Sequence, residues 1–121
     1  KMRFLATLSL VLTWLSAQAT PALLIRHSPL AGSQFYALDD LWPQIRVGDR
    51  LALVREPNHR HDKNAIRIEW QGRQIGYVPR AHNAPLAAAL DRGQHLVARV
   101  YRLNSHPDPW QRVEFAVYAP L

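Results

Sequence analysis

The alternation of apolar residues with other residues is clearest between positions 51 and 80. Apolar residues recur at every second position in two runs, at Ala52, Val54, Ile66, Ile68 and Trp70. A period of two is typical of half-buried β-strands. Gln71-Gly72 separates the second run from residues 74–78, and a two-residue connection that contains glycine is typical of a β-hairpin. The stretch therefore predicts three short strands, which are joined by one loop and one tight turn.

Three further strands are predicted outside this stretch. Their predicted bounds are residues 30–38, 96–103 and 113–118. Gly32 would mark a bulge or a close backbone approach within the first of them. Residues 20–28 show no clear period, so they are interpreted either as a tether or as an edge strand.

Capping residues predict two short helices. Asp39 and Asp40 are interpreted as the cap of a short helical turn, because carboxylates satisfy the free N–H groups at a helix start. Asn83 is the predicted N-cap of a helix at residues 84–92, which Gly93 would end. Six strands, two short helices and no β-α-β alternation predict a mainly β protein with a small β-barrel.

The loop at residues 56–64 concentrates polar and ionisable side chains. It contains Glu56, Pro57, Asn58, His59, Arg60, His61, Asp62, Lys63 and Asn64. Asn, Asp and Pro favour turns, and rigid sheets usually carry their binding residues on loops. The sequence therefore predicts that any binding site includes this loop.

Composition limits the classes of function. The chain has 121 residues, of which 48% are hydrophobic, so we expect one domain with a modest core. The absence of cysteine excludes disulfides and thiolate-bound metals. The sequence also contains no GxSxG motif, no P-loop and no Cys nucleophile. We therefore expect a protein that is not an enzyme and has no cofactor.

Residues 1–19 have the three parts of a secretory signal peptide. A basic head precedes an apolar run, and the run ends in Ala17-Gln18-Ala19. The run is shorter than the roughly 20 residues that a membrane span needs. We expect cleavage after Ala19 and export to the periplasm or the medium. A retained N-terminal anchor and an amphipathic helix are the alternatives.

The net charge favours anionic partners. The whole chain carries +6 at pH 7; loss of Lys1 and Arg3 with the signal peptide leaves 13 basic and 9 acidic residues, a charge of +4. All but one of those basic residues are arginine. An arginine-rich domain attracts phosphate and other anions, although a merely solvated basic surface would have the same composition.

Several motifs resemble, in order, those of the HIRAN domain. They are Arg55-Glu56-Pro57, His61-Asp62-Lys63-Asn64-Ala65-Ile66, Ile75-Gly76-Tyr77-Val78-Pro79-Arg80, Leu86-Ala87 and Leu90-Asp91-x-Gly93. The resemblance covers residues 29–118. It implies a six-stranded OB-like β-barrel with two short helices at residues 29–121, after a lead at 20–28. HIRAN domains occur attached to DNA helicases and Swi/Snf-type translocases and as stand-alone bacterial proteins, and this chain is similar to the stand-alone kind.

The resemblance implies a pocket for the 3′-hydroxyl end of single-stranded DNA. The positions carried over are Gln34, Phe35, His59, His61, Asp62, Tyr77 and Arg80, with Trp110 or Phe115 as a further aromatic. Asp62 would accept a hydrogen bond from a ribose hydroxyl, Arg80 would hold a phosphate, and unpaired bases would stack on the rings. The chain departs from the family pattern at Gln34, where DNA-binding members carry Arg, and at His61, where some carry Tyr.

Several of these residues also have a structural interpretation. Asp62 and Asn64 are suited to capping the loop backbone. Phe35 and Tyr77 are suited to packing in the core with one polar edge. The tryptophans are also interpreted as packing residues, namely Trp42, Trp70 and Trp110.

Two further classes of ligand remain open. An exported protein meets no genome. This protein could therefore instead be an envelope or periplasmic interaction protein that binds an envelope protein partner, a peptide, a glycan or another anion. His59, His61 and Asp62 are weak candidates for a zinc or copper site, since two imidazoles and a carboxylate bind these ions. No other metal site is predicted.

Overall fold

Antiparallel pairing organises the whole described chain. The structure, a computed structural model, describes residues 21–121. Its strands are β1 (Ala22–Pro29), β2 (Arg50–Arg55), β3 (Ile66–Trp70), β4 (Arg73–Tyr77), β5 (Val97–Leu103) and β6 (Val113–Pro120). They form one sheet in the order β1-β6-β5-β2-β3-β4, and the sheet is not closed. This mainly β architecture with two α-helices agrees with the predicted OB-like fold.

The strand predicted at residues 30–38 is wrong. The first strand is β1, which pairs along its length with β6 at the edge of the sheet. The described part of the predicted lead therefore contributes an edge strand and not a tether. Gly32 has φ +71°, a left-handed conformation that glycine adopts without strain. There the chain leaves the extended conformation and enters a 3₁₀ helix, Ser33–Phe35.

The two edges of the sheet approach each other directly after β1. Ala31 forms an antiparallel bridge with Tyr77 on β4, with both N–H···O distances 2.9 Å. A Cβ atom at Gly76 would lie 2.5 Å from the carbonyl oxygen of Ala31 and 2.8 Å from the side chain of Leu30. Only glycine therefore allows β4 to lie so close to this segment.

The core lies on one face of the sheet and beneath the helices. Ile66, Ile68 and Trp70 are buried, which confirms the alternation predicted for β3. On β2 the predicted face is wrong, because Leu51 is buried and Ala52 is exposed. Residues 51–54 are all apolar, so the sequence does not show which alternate positions of β2 face inward. The pairing of β2 with β3 and β5 decides it.

The two helices begin elsewhere than the capping residues predict. Helix α1 spans Leu38–Leu41, so Asp39 and Asp40 lie inside its first turn and make no capping hydrogen bond. Helix α2 spans Arg80–Asp91 and begins directly after Pro79. Asn83 is therefore a buried residue inside this helix and not its N-cap. The prediction that Gly93 ends the helix is confirmed by its φ of +79°.

The hairpin between β3 and β4 forms as predicted. Gln71 has φ +46° and Gly72 has φ +80°, so both central residues are left-handed. This is the type I′ pattern, whose twist matches that of the flanking strands. The local sequence signal was sufficient here because the turn involves only neighbouring residues.

The predicted signal peptide lies outside the described residues. Among residues 21–121, no helix is long and apolar enough to cross a membrane.

Gly76→Ala tests the close approach of β4 to the segment after β1. We expect a loss of about 1–3 kcal/mol of stability, the usual cost of overpacking, because the added methyl group meets a backbone oxygen. Thermal unfolding should show a midpoint lower by roughly 4–8 °C per kcal/mol. Gly72→Asn is the control for loss of a glycine without a clash: no atom lies within 4 Å of its Cβ position, so its cost comes only from the left-handed backbone, which Asn tolerates better than most residues. A Gly76→Ala midpoint equal to that of the parent would contradict the steric argument.

Candidate functional site

Arg55 fixes the shape of the loop between β2 and β3. Its guanidinium donates to the carbonyl oxygens of Ala65 at 2.8 Å and Lys63 at 3.0 Å. The same group pairs with both carboxylate oxygens of Asp91 at 2.9 and 3.1 Å. Because Asp91 ends α2, this bidentate pair ties the loop to the helix. The contact gives a structural reason for two of the motif positions, one at the end of β2 and one at the end of the helix.

Asp62 joins the loop to the start of α2. Its Oδ1 accepts a hydrogen bond from the backbone N–H of Asn64 at 3.0 Å, so the predicted capping role is confirmed. Its Oδ2 accepts from the side-chain amide of Asn83 at 2.7 Å. The guanidinium Nε of Arg80 lies 3.5 Å from the same oxygen.

The Asp62 carboxylate is ionised in this setting. Burial opposes its ionisation, but the hydrogen bonds from Asn64 and Asn83 and the charge of Arg80 outweigh that effect. The pKa of Asp62 therefore lies below its ordinary value. A carboxylate has about four acceptor positions on its two oxygens, so the contacts from Asn64, Asn83 and Arg80 leave Oδ1 able to accept another hydrogen bond.

Arg80 presents a cation beside this carboxylate. Its guanidinium donates to the carbonyl oxygen of His61, and its side chain is 68% exposed. Arg80 and Asn83 are three residues apart on α2, so both project from the same face of the helix. That face directs one charged and one neutral donor towards Asp62.

Four aromatic rings form a row along the same edge. The ring of Tyr77 meets Tyr36 on one side, with centroids 5.8 Å apart, and His59 on the other, at 5.6 Å. His59 in turn meets His61 at 6.1 Å, and all three contacts are edge-on. Such edge-to-face contacts are favourable for aromatic pairs, so the rings hold one another in fixed orientations.

Tyr77 is anchored by its hydroxyl group. This group donates to Glu56 Oε1 at 2.6 Å, and Arg67 donates to the other oxygen of Glu56 at 3.1 Å. Burial, followed by the hydrogen bond to Glu56, raises the pKa of Tyr77 to about 12. The phenol is therefore neutral at physiological pH and remains a hydrogen-bond donor.

The structure brings five of the predicted site residues around one shallow pocket of about 170 Å³. They are His59, His61, Asp62, Tyr77 and Arg80. Ala31, Ala65 and Val78 supply apolar parts of its wall. An ionised acceptor, an exposed cation and aromatic rings thus share one small concave surface, which we call the Asp62 pocket.

The remaining predicted residues lie outside this pocket. Gln34 and Phe35 are on the Ser33–Phe35 helix and not on a strand, and Phe35 is 77% exposed, so its predicted alternative role in the core is wrong. Trp110 is half exposed on a second 3₁₀ helix, Pro109–Gln111, which lies next to the first. Phe115 is fully buried in the core and therefore cannot contact a ligand. Packing roles are confirmed for Trp42 and Trp70.

The weak metal candidates are not arranged as a ligand set. Asp62 directs one oxygen to Asn83, and His59 Nδ1 accepts a hydrogen bond from the backbone N–H of His61 at 3.1 Å. Within residues 21–121, no group of three or more His, Cys, Asp or Glu side chains is placed to hold a metal ion.

Sequence analysis missed three residues that shape the site. Tyr36 extends the ring row, Asn83 donates to Asp62, and Glu56 holds the Tyr77 hydroxyl. A helix predicted to begin at Arg80 would have placed Asn83 on the same face as Arg80, and so among the site residues. Tyr36 was assigned to a strand, where it would have pointed away from its neighbour Phe35. Nothing local identified Glu56, because its partner lies on another strand.

Comparisons with known proteins agree with the motifs. The HIRAN domain profile matches residues 27–121. The crystal structure of a protein from Lactobacillus plantarum is similar, with a TM-score of 0.70 and 28% identity over 82% of this chain and 95% of that one. The crystal structure of the HIRAN domain of human HLTF is similar in fold, with a TM-score of 0.60 and 19% identity over 82% of this chain and 80% of that one. No curated protein matches the sequence.

The residues matched by the family profile, 27–121, span nearly all of the described chain. The chain therefore belongs to the HIRAN domain family.

Proposed function

We propose that this domain binds nucleic acid and that the Asp62 pocket receives the 3′-hydroxyl end of a single strand. Membership of the HIRAN family supports a nucleic-acid-binding module. The observation that carries the proposal is the convergence of the ionised Asp62, the exposed Arg80 and the aromatic row on one pocket. These groups match the three chemical parts of a strand end, namely hydroxyl, phosphate and base.

The charge of Asp62 supplies the preference for a free hydroxyl. An ionised carboxylate only accepts hydrogen bonds, so it attracts the O–H of a terminal ribose. A terminal phosphate is mostly dianionic at neutral pH, so it seldom has a proton to donate and is repelled by the negative charge. Asn64 and Asn83 hold the carboxylate in place, so little ordering of Asp62 is needed when the strand binds.

Arg80 and the aromatic rings would bind the phosphates and bases next to the terminal sugar. The guanidinium of Arg80 is exposed and only one of its near neighbours is an acid, so it is free to contact the phosphate before the terminal sugar. Bases stack on exposed aromatic rings with little dependence on sequence. Tyr36 in the row, its neighbour Phe35, and Trp110 on the adjacent 3₁₀ helix are all at least one-third exposed. End preference with weak sequence preference is the expected result.

Strand-end recognition is tested by fluorescence anisotropy with short oligonucleotides ending in 3′-hydroxyl or 3′-phosphate. A hydrogen bond to a charged group contributes about 1.5–3 kcal/mol, so the parent should prefer the hydroxyl by roughly tenfold or more. Asp62→Asn should remove most of that preference. Arg80→Gln should weaken binding to both ends and reduce the salt dependence by about one phosphate contact.

Arg73→Gln is the matched control for Arg80→Gln, since it removes the same charge at the far end of β4. The pocket does not recognise the strand end if the parent binds both ends with equal affinity. The same conclusion follows if Asp62→Asn and Arg80→Gln bind as the parent does. Such a result would favour the alternative partner class, a peptide, glycan or other anion.

The aromatic row is tested separately with Tyr36→Leu. Base stacking contributes about 1–3 kcal/mol per base, so loss of this ring should weaken single-strand binding by roughly 5- to 100-fold. Tyr36 is partly exposed, so the thermal midpoint should change little. Tyr101→Leu is the control, because Tyr101 is similarly exposed but stacks on His27 instead of a site residue. Equal losses of affinity in both variants would argue against a specific role for the row.

We also propose that the protein is exported, from the pattern of residues 1–19. Expression of the full chain in a bacterial host should yield a periplasmic or secreted protein that begins at Thr20, as read by intact-mass spectrometry. A cytoplasmic protein that retains residues 1–19 would contradict export. Export would favour an envelope partner or extracellular nucleic acid over a genomic ligand.

A further inference from the structure

A second, larger groove lies away from the Asp62 pocket. Its volume is about 570 Å³, and it crosses the outer surface of four neighbouring strands, β1, β6, β5 and β2. Its polar wall consists of Arg50, His95, Arg99 and Tyr118, and Ala22 and Pro120 add apolar surface. The groove is therefore basic, with one aromatic side chain.

Arg50 and Arg99 are placed directly opposite each other on β2 and β5. Like charges at directly opposed positions destabilise a sheet. Among residues 21–121, neither arginine forms an ion pair. The adjacent acid, Asp49, forms no ion pair with either arginine; its Oδ2 instead accepts from Trp70 Nε1 at 2.9 Å and from the backbone N–H of Arg46 at 2.8 Å. Within the described residues no ion pair offsets the repulsion between them.

Backbone contacts position the side chains of the groove. Arg99 donates to the carbonyl oxygen of Gly48 at 3.0 Å, which orients its guanidinium across the start of β2. Tyr118 on β6 lies opposite Val97 on β5, so the aromatic side chain is next to the strand that carries Arg99. Two cations and a ring are thus presented by rigid strands and not by mobile loops.

The groove and the Asp62 pocket lie at opposite ends of β2. This strand begins at Arg50 and ends at Arg55, where the site loop starts. Five residue steps of about 3.3 Å separate the two ends by roughly 17 Å. One nucleotide cannot contact both places, but a strand of the length that OB-type folds usually bind, about 4–16 nucleotides, covers such a distance.

We infer that this groove is a second phosphate-binding surface, which holds the nucleic-acid backbone several nucleotides from the bound end. The inference rests on the proposed function, since it assigns the groove to the same ligand. Guanidinium groups pair well with phosphate oxygens, and a ligand phosphate between Arg50 and Arg99 would replace their mutual repulsion with attraction. Tyr118 would stack a base of the same strand.

The test compares two double variants that remove the same charge. Arg50→Gln/Arg99→Gln alters the groove, whereas Arg73→Gln/Arg92→Gln removes two exposed arginines that line neither pocket. Each is titrated with a trinucleotide and with a strand of about 12 nucleotides, both ending in 3′-hydroxyl, over a range of salt concentrations.

The groove variant should bind the trinucleotide as the parent does. With the longer strand its slope of log K against log salt should decrease by about 0.7, the contribution of the one phosphate contact that the two arginines share. With both strands, the control variant should have a slope of log K against log salt closer to that of the parent than the groove variant has with the longer strand. The groove variant should also keep or raise the thermal midpoint, because it removes a like-charge pair.

The outcomes separate this inference from the proposed function. An unchanged slope in the groove variant, or equal changes in both double variants, overturns the second surface while leaving end recognition standing. A reduced slope in the groove variant, together with no effect of Asp62→Asn or Arg80→Gln, overturns end recognition and makes the groove the main binding surface. Failure of the parent to bind either strand overturns both.

Discussion

The bridge between Ala31 and Tyr77 is the contact on which the rest of the site depends. It requires the two backbones to approach so closely that position 76 has no room for a side chain. The bridge brings the segment after β1 onto β4 and so places Tyr36 against Tyr77. Without it, the two edges of the open sheet would separate and the aromatic row would lose one end. A constraint on packing thus becomes a constraint on the candidate binding surface.

The loop between β2 and β3 is rigid because its polar groups bond to the rest of the domain. Arg55 ties it to the end of α2, and Asp62 ties it to the start of the same helix. The structural and functional interpretations of Asp62 therefore do not compete. Hydrogen bonds that cap the backbone also keep the carboxylate ionised and oriented, which is the state that accepts a hydroxyl group. Preorganisation of this kind lowers the ordering cost of binding.

The arginines of this basic domain differ in their surroundings. Arg55 and Arg67 are largely or partly buried, bonded to carboxylates, and serve the fold. Arg50 and Arg99 are exposed, and within the described chain they lack acidic partners. Net charge alone does not distinguish a solvated basic surface from an anion-binding one. The position of each guanidinium relative to the carboxylates does: within the described residues Arg50 and Arg99 form no ion pair, and Arg80 keeps an exposed guanidinium although Asp62 lies beside it.

The sequence by itself determined the family, the mainly β class, the β3–β4 hairpin and the residues that gather at the Asp62 pocket. These follow from local turn chemistry, a short alternating run and motifs that lie close together in the chain. Only the tertiary structure decided that β1 pairs with β6, that α2 begins at Arg80 and buries Asn83, and that Phe115 lies in the core. Each depends on contacts between residues far apart in sequence, and neither periodicity nor capping preference reports such contacts.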